Sequence, residues 1–372
     1  MFTENIIAAP TAFPMVENSS PLMAGSSLNR VQRTSPSQHP DWDAQVAGHP
    51  HFSFFHSAAW AKVLTSTYGY APVYFMASEG GQVQSLLPLM EVDSWLTGRR
   101  GVALPFTDDC EPLGNDAASF QELFQSSVEF GKSRGWKYVE CRGGGKHFAG
   151  GRPSLSFWGH RLHLIADLDK LFGSFENRVR GAIKKSAKSS LELEISQSLE
   201  AVQNYYRLHC QVRKQHGVPP QSFGFFRNIQ RHVLAANQGA VVSAKHQGKI
   251  VASAIYFHTE RDAIYKFSAS DAAFSQLNAN NFVMWEAIKH YVAKGVKTIN
   301  FGRTSVGNEG LRRYKLGWKT EEYPVNYYKF DFRKNAFTTD KDEATGWHNR
   351  VFQKLPVFAS RMVGDVLYKH WA

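Results

Sequence analysis

AVVSAK (240–245), HQGK (246–249) and IVASAIYF (250–257) read as two apolar strands joined by a glycine-bearing turn. The same order occurs earlier as VYFMA (73–77), SEGGQ (78–82) and VQSLLPLM (83–90). Each hairpin is followed downstream by a helical pattern, a glycine stop and a strand. SFQELFQSSVEFGKSRG (119–135) sets Phe120, Leu123, Phe124 and Val128 at helical spacing ahead of WKYVEC. NFVMWEAIKHYVAKG (281–295) does the same with Phe282, Trp285, Ile288 and Val292 ahead of VKTINFG. The turn glycines Gly81 and Gly248 are 167 residues apart, and the stop glycines Gly135 and Gly295 are 160 apart. Such a steady offset predicts an internal duplication of two α/β lobes, each a hairpin plus a helix-to-strand unit.

Outward from these units the boundaries follow. Residues 1–41 hold many Pro, Ser, Asn and Gln and read as a disordered tail, with globular structure starting near Trp42. The first lobe is drawn over 42–160 and the second, carrying the active site, over 161–335. EEYPVNYYKFDF (321–332) reads as a closing strand. Residues 336–372 are a linker and a C-terminal amphipathic helix beyond Pro356, with Phe358, Met362, Val366 and Leu367 on one side and Arg361, Lys369 and His370 around it. Such a helix either docks on the fold or lies on an anionic membrane.

The 372 residues suit two domains or one large one. With 43% apolar, 13% aromatic and 20% charged residues the chain can bury a substantial core. No apolar run approaches the roughly 18 residues that span a bilayer. The N-terminus lacks a basic segment followed by a continuous apolar one, so no secretory signal is expected. Cys110, Cys141 and Cys210 at irregular spacing form neither a disulfide framework nor a zinc ribbon, which suits a reducing compartment. The net charge of +11 suits an anionic partner: a phosphorylated substrate, nucleic acid or an acidic membrane surface.

Several familiar sites are missing: there is no HExxH, CxxC, GxSxG or P-loop. RGGGKH (142–147) lacks the flanking residues of a phosphate loop and reads as a flexible turn. His160 and His163 lie on an alternating strand, so no metal site is expected. The most unusual stretch is FENRVRGAIKKSAKSSLEL (175–193), where Arg178, Arg180, Lys184, Lys185 and Lys188 fall within eleven residues without an acid. On a helix, 180, 184 and 188 form one stripe, suited to a diphosphate or nucleic-acid backbone or else simply solvated. FGRTSVGNEGLRRYKLGW (301–318) follows a strand directly, where α/β folds place ligand sites, and carries Arg303, Glu309 and Lys315.

Together with FHSAAWAKVLTSTYGYAPVYFMA (55–77), LTGRRGVALPFTDDCEPLG (96–114) and SDAAFSQLNANNFVMWEAI (270–288), these segments resemble the FemABX-like branch of the GNAT acyltransferase superfamily, in the form associated with exopolysaccharide and exosortase systems. The resemblance spans residues 50 to about 332. It implies two tandem GNAT-like lobes with mixed, largely antiparallel sheets flanked by helices. It also implies transfer of an activated acyl group onto an amine of a cell-envelope, peptidoglycan or polysaccharide precursor. The donor would be aminoacyl-tRNA or acyl-CoA, with no tightly bound cofactor and no metal, and the setting cytoplasmic, extending to the inner face of the membrane. The family's Phe-Lys-x-Gly-aromatic motif is matched by Tyr314-Lys315-Leu316-Gly317-Trp318, so Lys315 inherits stabilisation of the reacting acyl centre. Arg178 and Arg180 match the basic element that contacts substrate phosphates, with Lys184 beside them; Asp108, Asn280, Arg303, Glu309 and Tyr314 complete the expected substrate-binding set.

Two departures stand out. The family's usual aromatic between Asp108 and Cys110 is replaced by Asp109. No segment completes the Gln/Arg-x-x-Gly-x-Gly/Ala pattern that binds the CoA pyrophosphate at a helix N-terminus. The start of the second lobe's helix is instead Asn278-Ala279-Asn280-Asn281, where Asn280 would cap the helix or orient a ligand. Two alternatives remain: a CoA-dependent N-acyltransferase acting on a nucleotide-linked sugar, and a non-catalytic RNA-binding or membrane-surface protein that keeps the fold.

Overall fold

The computed structural model describes residues 31–80, 82–114, 116–148, 151–340 and 352–371. In chain order its strands are β1 (Gln32–Thr34), β2 (Ala71–Glu79), β3 (Gln82–Val92), β4 (Arg100–Val102), β5 (Tyr138–Arg142), β6 (Leu155–His163), β7 (Glu192–Ser196), β8 (Gly239–His246), β9 (Lys249–His258), β10 (Asp262–Ser270), β11 (Thr298–Ser305), β12 (Glu321–Asp331) and β13 (Ala336–Thr338). The principal helices are α1 (Trp42–Ala47), α2 (Ala58–Tyr68), α3 (Ala117–Arg134), α4 (Leu168–Ser174), α5 (Asn177–Ala187), α6 (Leu199–Gln215), α7 (Phe223–Ile229), α8 (Ala279–Ala293), α9 (Glu309–Leu316) and α10 (Val357–Leu367).

All the strands join one sheet in the order β1-β2-β3-β4-β5-β12-β6-β11-β10-β9-β8-β7, with β13 on β12. The duplication is visible in that order, which reads alike from either end. Both hairpins, β2–β3 and β8–β9, are antiparallel and carry a register shift near the turn, at Ala77/Ser78 and Ala244/Lys245. Gly81 lies outside the described residues; its neighbour Gly80 and Gly248 both take positive φ, the conformation their tight turns demand. In each lobe a parallel pair follows, β4 with β5 and β10 with β11, connected through α3 and α8. A parallel pair needs such a crossover helix. Gly135 and Gly295, at φ 69° and 77°, stop those helices as the sequence predicts.

The strand that follows each unit crosses to the other. β6 follows β5 in sequence but pairs with β11, while β12 follows β11 but pairs with β5, and the two exchanged strands pair with each other. A boundary at 160/161 therefore falls inside β6, between His160 and Arg161, and a second-lobe limit at 335 assigns to that lobe a strand that completes the first. The proposed tail also ends earlier than 41. Gln32–Thr34 is hydrogen-bonded along Tyr74–Met76, and Thr34 and Pro36 are buried; residues 1–30 lie outside the described residues.

Among the described residues three large apolar cores hold the layers, with a small fourth cluster of Phe157, Val325 and Tyr327. One lies on the α3 side of the first lobe and includes Tyr328 of β12; another lies on the α5 and α8 side of the second lobe. The third is shared, with Trp60 and Phe54 of the first lobe against Phe257 of the second at 5.6 and 4.7 Å between ring centroids. Aromatic pairs at that spacing lock the lobes to one another. Beyond Pro356 α10 is helical as expected and docks on this body: Gly364 abuts the Pro220 carbonyl, and the Tyr368 hydroxyl donates to Pro219 O at 3.1 Å.

Candidate active site

Pairing of β10 with β11 runs only from Asp262/Thr298 to Ile264/Asn300; beyond that the strands part. At the parting point β11 bulges between Asn300 and Arg303, with Gly302 at φ 72°. A side chain is disfavoured at that φ, and a Cβ would also stand 3.2 Å from the Asp108 carboxylate. The bulge is tied from two sides. Asn300 Oδ1 accepts from the Gly302 amide at 2.7 Å, and Lys315 Nζ donates to the Gly302 and Arg303 carbonyls at 2.9 and 3.0 Å. Lys315 reaches them from α9, whose N-terminus is capped by Asn308 accepting from the Leu311 amide.

Asp108 arrives from the first lobe, its own carbonyl accepting from the Tyr327 hydroxyl at 2.7 Å. Its carboxylate receives Lys266 Nζ at 3.0 Å and lies 4.0 Å from Arg303 Nε. Burial alone would raise this acid, but Lys266 and Arg303 override it and hold the carboxyl below the usual aspartate range. Arg303 is set in turn by stacking over Phe157 at 4.0 Å. Burial lowers Lys315 to about 8, Asp108 partly opposing. The neighbouring His160 is buried and kept neutral, pushed down to about 4 by burial and then by Lys315.

Asp108 also stands in the wall of a cavity of about 760 Å³ between the lobes. One wall is the first-lobe segments 50–55 and 108–111; the other is formed by β6, β10, β11 and β12. Asp109 lies on it beside Asp108 in a different environment. Its Oδ1 is buried without a hydrogen-bond partner, so close over Gly143 (φ 97°) that a Cβ there would overlap it. Burial, with Glu111 adding to it, pushes this carboxyl up to about 7.

Of the expected site residues, the fold brings together Asp108, Arg303 and Lys315, and of these Asp108 alone lines the cavity. The others lie elsewhere. Arg178 on α5 donates to Glu176 at 2.7 Å and to the Arg313 carbonyl, closing the C-terminal end of α9. Arg180 donates to Asn177, and Lys184 lies over Phe172 at 5.9 Å. Glu309 pairs with Arg312 at 3.4 Å, leaving Lys315 to the backbone. Tyr314 packs into the second lobe's core against Trp318, its phenol raised by burial. Asn280 does not cap α8: the cap position is Asn278, at φ 52°, and Asn280 donates to Ser270 Oγ at 2.9 Å from inside the helix.

Sequence reasoning missed Lys266, the main partner of Asp108. The signal was present, for Lys266 is the lone charge inside the apolar strand AIYKFSA. It also missed Asp109 as a cavity residue, and Arg161, Asn300 and Tyr323, which line the same space. Among the described residues no group of His, Cys, Asp and Glu is arranged to hold a metal ion.

Comparison with known proteins agrees with this architecture. Residues 173–323 match the family model of the acetyltransferase (GNAT) domain. FemX superimposes with a TM-score of 0.66 at 13% identity, over 82% of this chain and 98% of FemX. A tandem GNAT protein from the clavulanic acid biosynthesis pathway gives 0.52 at 10% identity, over 81% of this chain and 98% of that one. L-PGS from Bacillus licheniformis gives 0.51 at 12% identity, over 90% and 99%. No curated protein matches by sequence.

Proposed function

From a chain whose residues 173–323 match the GNAT acetyltransferase domain, set in a two-lobed fold that FemX shares, we propose an acyltransferase working across the lobe junction. The observation that carries this reading is Asp108, which stands in the wall of the interlobe cavity and is held there by Lys266 and Arg303 behind it, beside the parting of β10 and β11. The acceptor amine occupies the cavity and the activated acyl group enters at the parting. The amine nitrogen attacks the carbonyl carbon, and the carbonyl oxygen becomes an oxyanion. Lys266 and Arg303 supply positive charge there in a site of low dielectric. As the intermediate collapses, the new C–N bond stays and the bond to the ester oxygen or thioester sulfur breaks.

The two aspartates divide the remaining work. Asp108, held ionised by its cations, is a weak base and serves to orient the amine and its neighbours. Asp109, whose proton affinity lies near neutrality, takes the proton that the amine loses. Lys315 acts as a positioning residue, since its ammonium is committed to the carbonyls of the bulge that aims Arg303.

The likenesses to FemX and L-PGS favour an aminoacyl donor, that to the tandem GNAT protein an acyl-CoA, and the acceptor is read as an amine of a cell-envelope or polysaccharide precursor. The exposed cations Lys184, Lys185 and Lys188 of α5 suit either donor's phosphates. Titration with acetyl-CoA and with aminoacyl-tRNA across a salt series tests this. A tRNA user shows a steep fall in affinity with salt, a CoA user a shallow one. Asp108→Asn is expected to lower turnover of whichever donor binds by about 10²-fold. Binding of neither donor would overturn the reading.

A further inference from the structure

The most exposed large apolar side chains of the described chain are gathered in one place. Trp95 is 83% exposed, Phe358 67%, Met362 65% and Val366 59%, with Leu96 and Trp371 close behind. Phe358, Met362 and Val366 recur every fourth residue on α10 and so form one ridge. Trp95 and Leu96 come from the β3–β4 connection, some 260 residues earlier in the chain. A polar clamp brings the two segments together. Ser94 Oγ and His370 Nδ1 share a hydrogen bond of 2.8 Å, Arg100 donates to the His370 carbonyl at 2.8 Å, and the Trp95 ring meets His370 edge-on at 5.5 Å. The opposite side of α10, through Ser360 and Gly364, is consumed in docking to the fold.

We propose that this ridge is a membrane-docking surface, which seats the protein on a bilayer carrying anionic lipid. Charge selects a bilayer over a protein partner. The rim is basic: Lys354, Arg361 and Lys369 on and beside the helix, and Arg99 and Lys137 beside the loop, against Asp365 and an Asp93 that Arg99 already pairs. Two tryptophans at the C-terminal end of an apolar helix face, with Lys and Arg around it, are the chemistry of a segment lying in the headgroup region. Docking of α10 on the fold and seating on lipid are thus compatible, since they use opposite sides of the helix. The proposal stands apart from the acyl-transfer reading, because neither residue set enters the interlobe site.

The test is co-sedimentation of the full chain with vesicles of phosphatidylcholine alone and of phosphatidylcholine mixed equally with phosphatidylglycerol, with sedimentation velocity run in parallel without lipid. The chain is expected to pellet with the mixed vesicles and at least tenfold less with the neutral ones. Trp95→Ser with Leu96→Ser, and separately Phe358→Ser with Met362→Ser and Val366→Ser, should each lower partitioning roughly tenfold or more at an unchanged melting temperature. Because the changed side chains are exposed, the variants should fold; a variant that melts early is replaced by the single change Trp95→Ala, expected to lower partitioning severalfold. Wild-type protein left in the supernatant with both vesicles overturns the proposal. So does equal pelleting of wild type and variants. A dimer in sedimentation velocity that both variants dissolve, without vesicle binding, would assign the ridge to a second copy and likewise overturn it.

Discussion

The two lobes share one order of elements and differ where their parallel strands end. In the second lobe β10 and β11 part around charge: Lys266, Arg303 and the visiting Asp108, with Lys315 behind them. In the first, the corresponding end of β5 leads into the turn Gly143–Gly144 and is stopped with aromatics. Phe120 of α3 stacks on His147 at 4.6 Å, and Phe148 stacks on Tyr328 at 4.1 Å. The adjacent acids follow the same division. Asp108 turns to the second lobe's Gly302 and stays ionised, while Asp109 turns to the first lobe's Gly143 and is desolvated. A duplicated framework thus yields two unlike openings, one closed by stacked aromatic rings beside a single desolvated carboxyl and the other built around paired charges.

Removing the aromatic stop should have the largest effect on folding and none on chemistry. Phe120→Ala is expected to cost about 4 kcal/mol in urea unfolding, the range for a buried aromatic truncated to a cavity, with kcat per folded molecule unchanged. A fall in kcat would show that the first opening takes part in turnover. On the reactive side, Lys266→Met should cost about 3 kcal/mol, since Asp108 is left buried without its main partner, and should lower kcat as well. Full activity in that variant would remove charge as the distinction between the lobes. Lys315→Met is next: about 2 kcal/mol, from two bulge carbonyls losing their donor, partly offset by relief of a desolvated ammonium. A drop in kcat of roughly 10²-fold should accompany it. The buried bonds to Gly302 and Arg303 mean that the melting temperature falls as well.

The smallest effect is a gain. Asp109 is raised from the ordinary aspartate value to about 7 in the folded chain. Between roughly pH 4 and 7 the folded state keeps a proton that the unfolded state has released, so this group's contribution to stability falls as pH rises through that window. Asp109→Asn should therefore raise the melting temperature by roughly 2–4 °C at pH 8, a gain that shrinks toward pH 4. The acid limb of the pH–rate profile should disappear with it. An unshifted profile would deny Asp109 its role with the acceptor amine.

How much of this was legible in the sequence depended on distance along the chain. The hairpins, the helix stops at Gly135 and Gly295 and the start of α10 follow from local periodicity and turn chemistry, and the fold agrees. The exchange of β6 and β12 is not local: WGHRLHLI and EEYPVNYY alternate as strands must, but nothing in either states its partner. Asp108 and Arg303 were legible as unusual residues in loop-bearing segments. Their meeting with Lys266 required the fold, since Asp108 and Lys266 are paired across 158 positions. The sequence leaves the basic stripe of α5 open between a phosphate-binding and a solvated face; Lys184, Lys185 and Lys188 are exposed, while Arg178 serves the neighbouring helix end instead of pointing into the cavity.

The exchanged strands also impose an order in time. When β5 emerges during synthesis, the strand that will lie beside it, β12, begins only at Glu321, against an end of β5 at Arg142. At the usual ~5–20 residues per second, the nascent first lobe waits roughly ten to forty seconds with an unpaired edge. β6 arrives earlier but must wait for β11. An edge left open that long is a template for pairing with other chains, so this protein's yield in the cell depends on what shields Tyr138–Arg142 until β12 arrives.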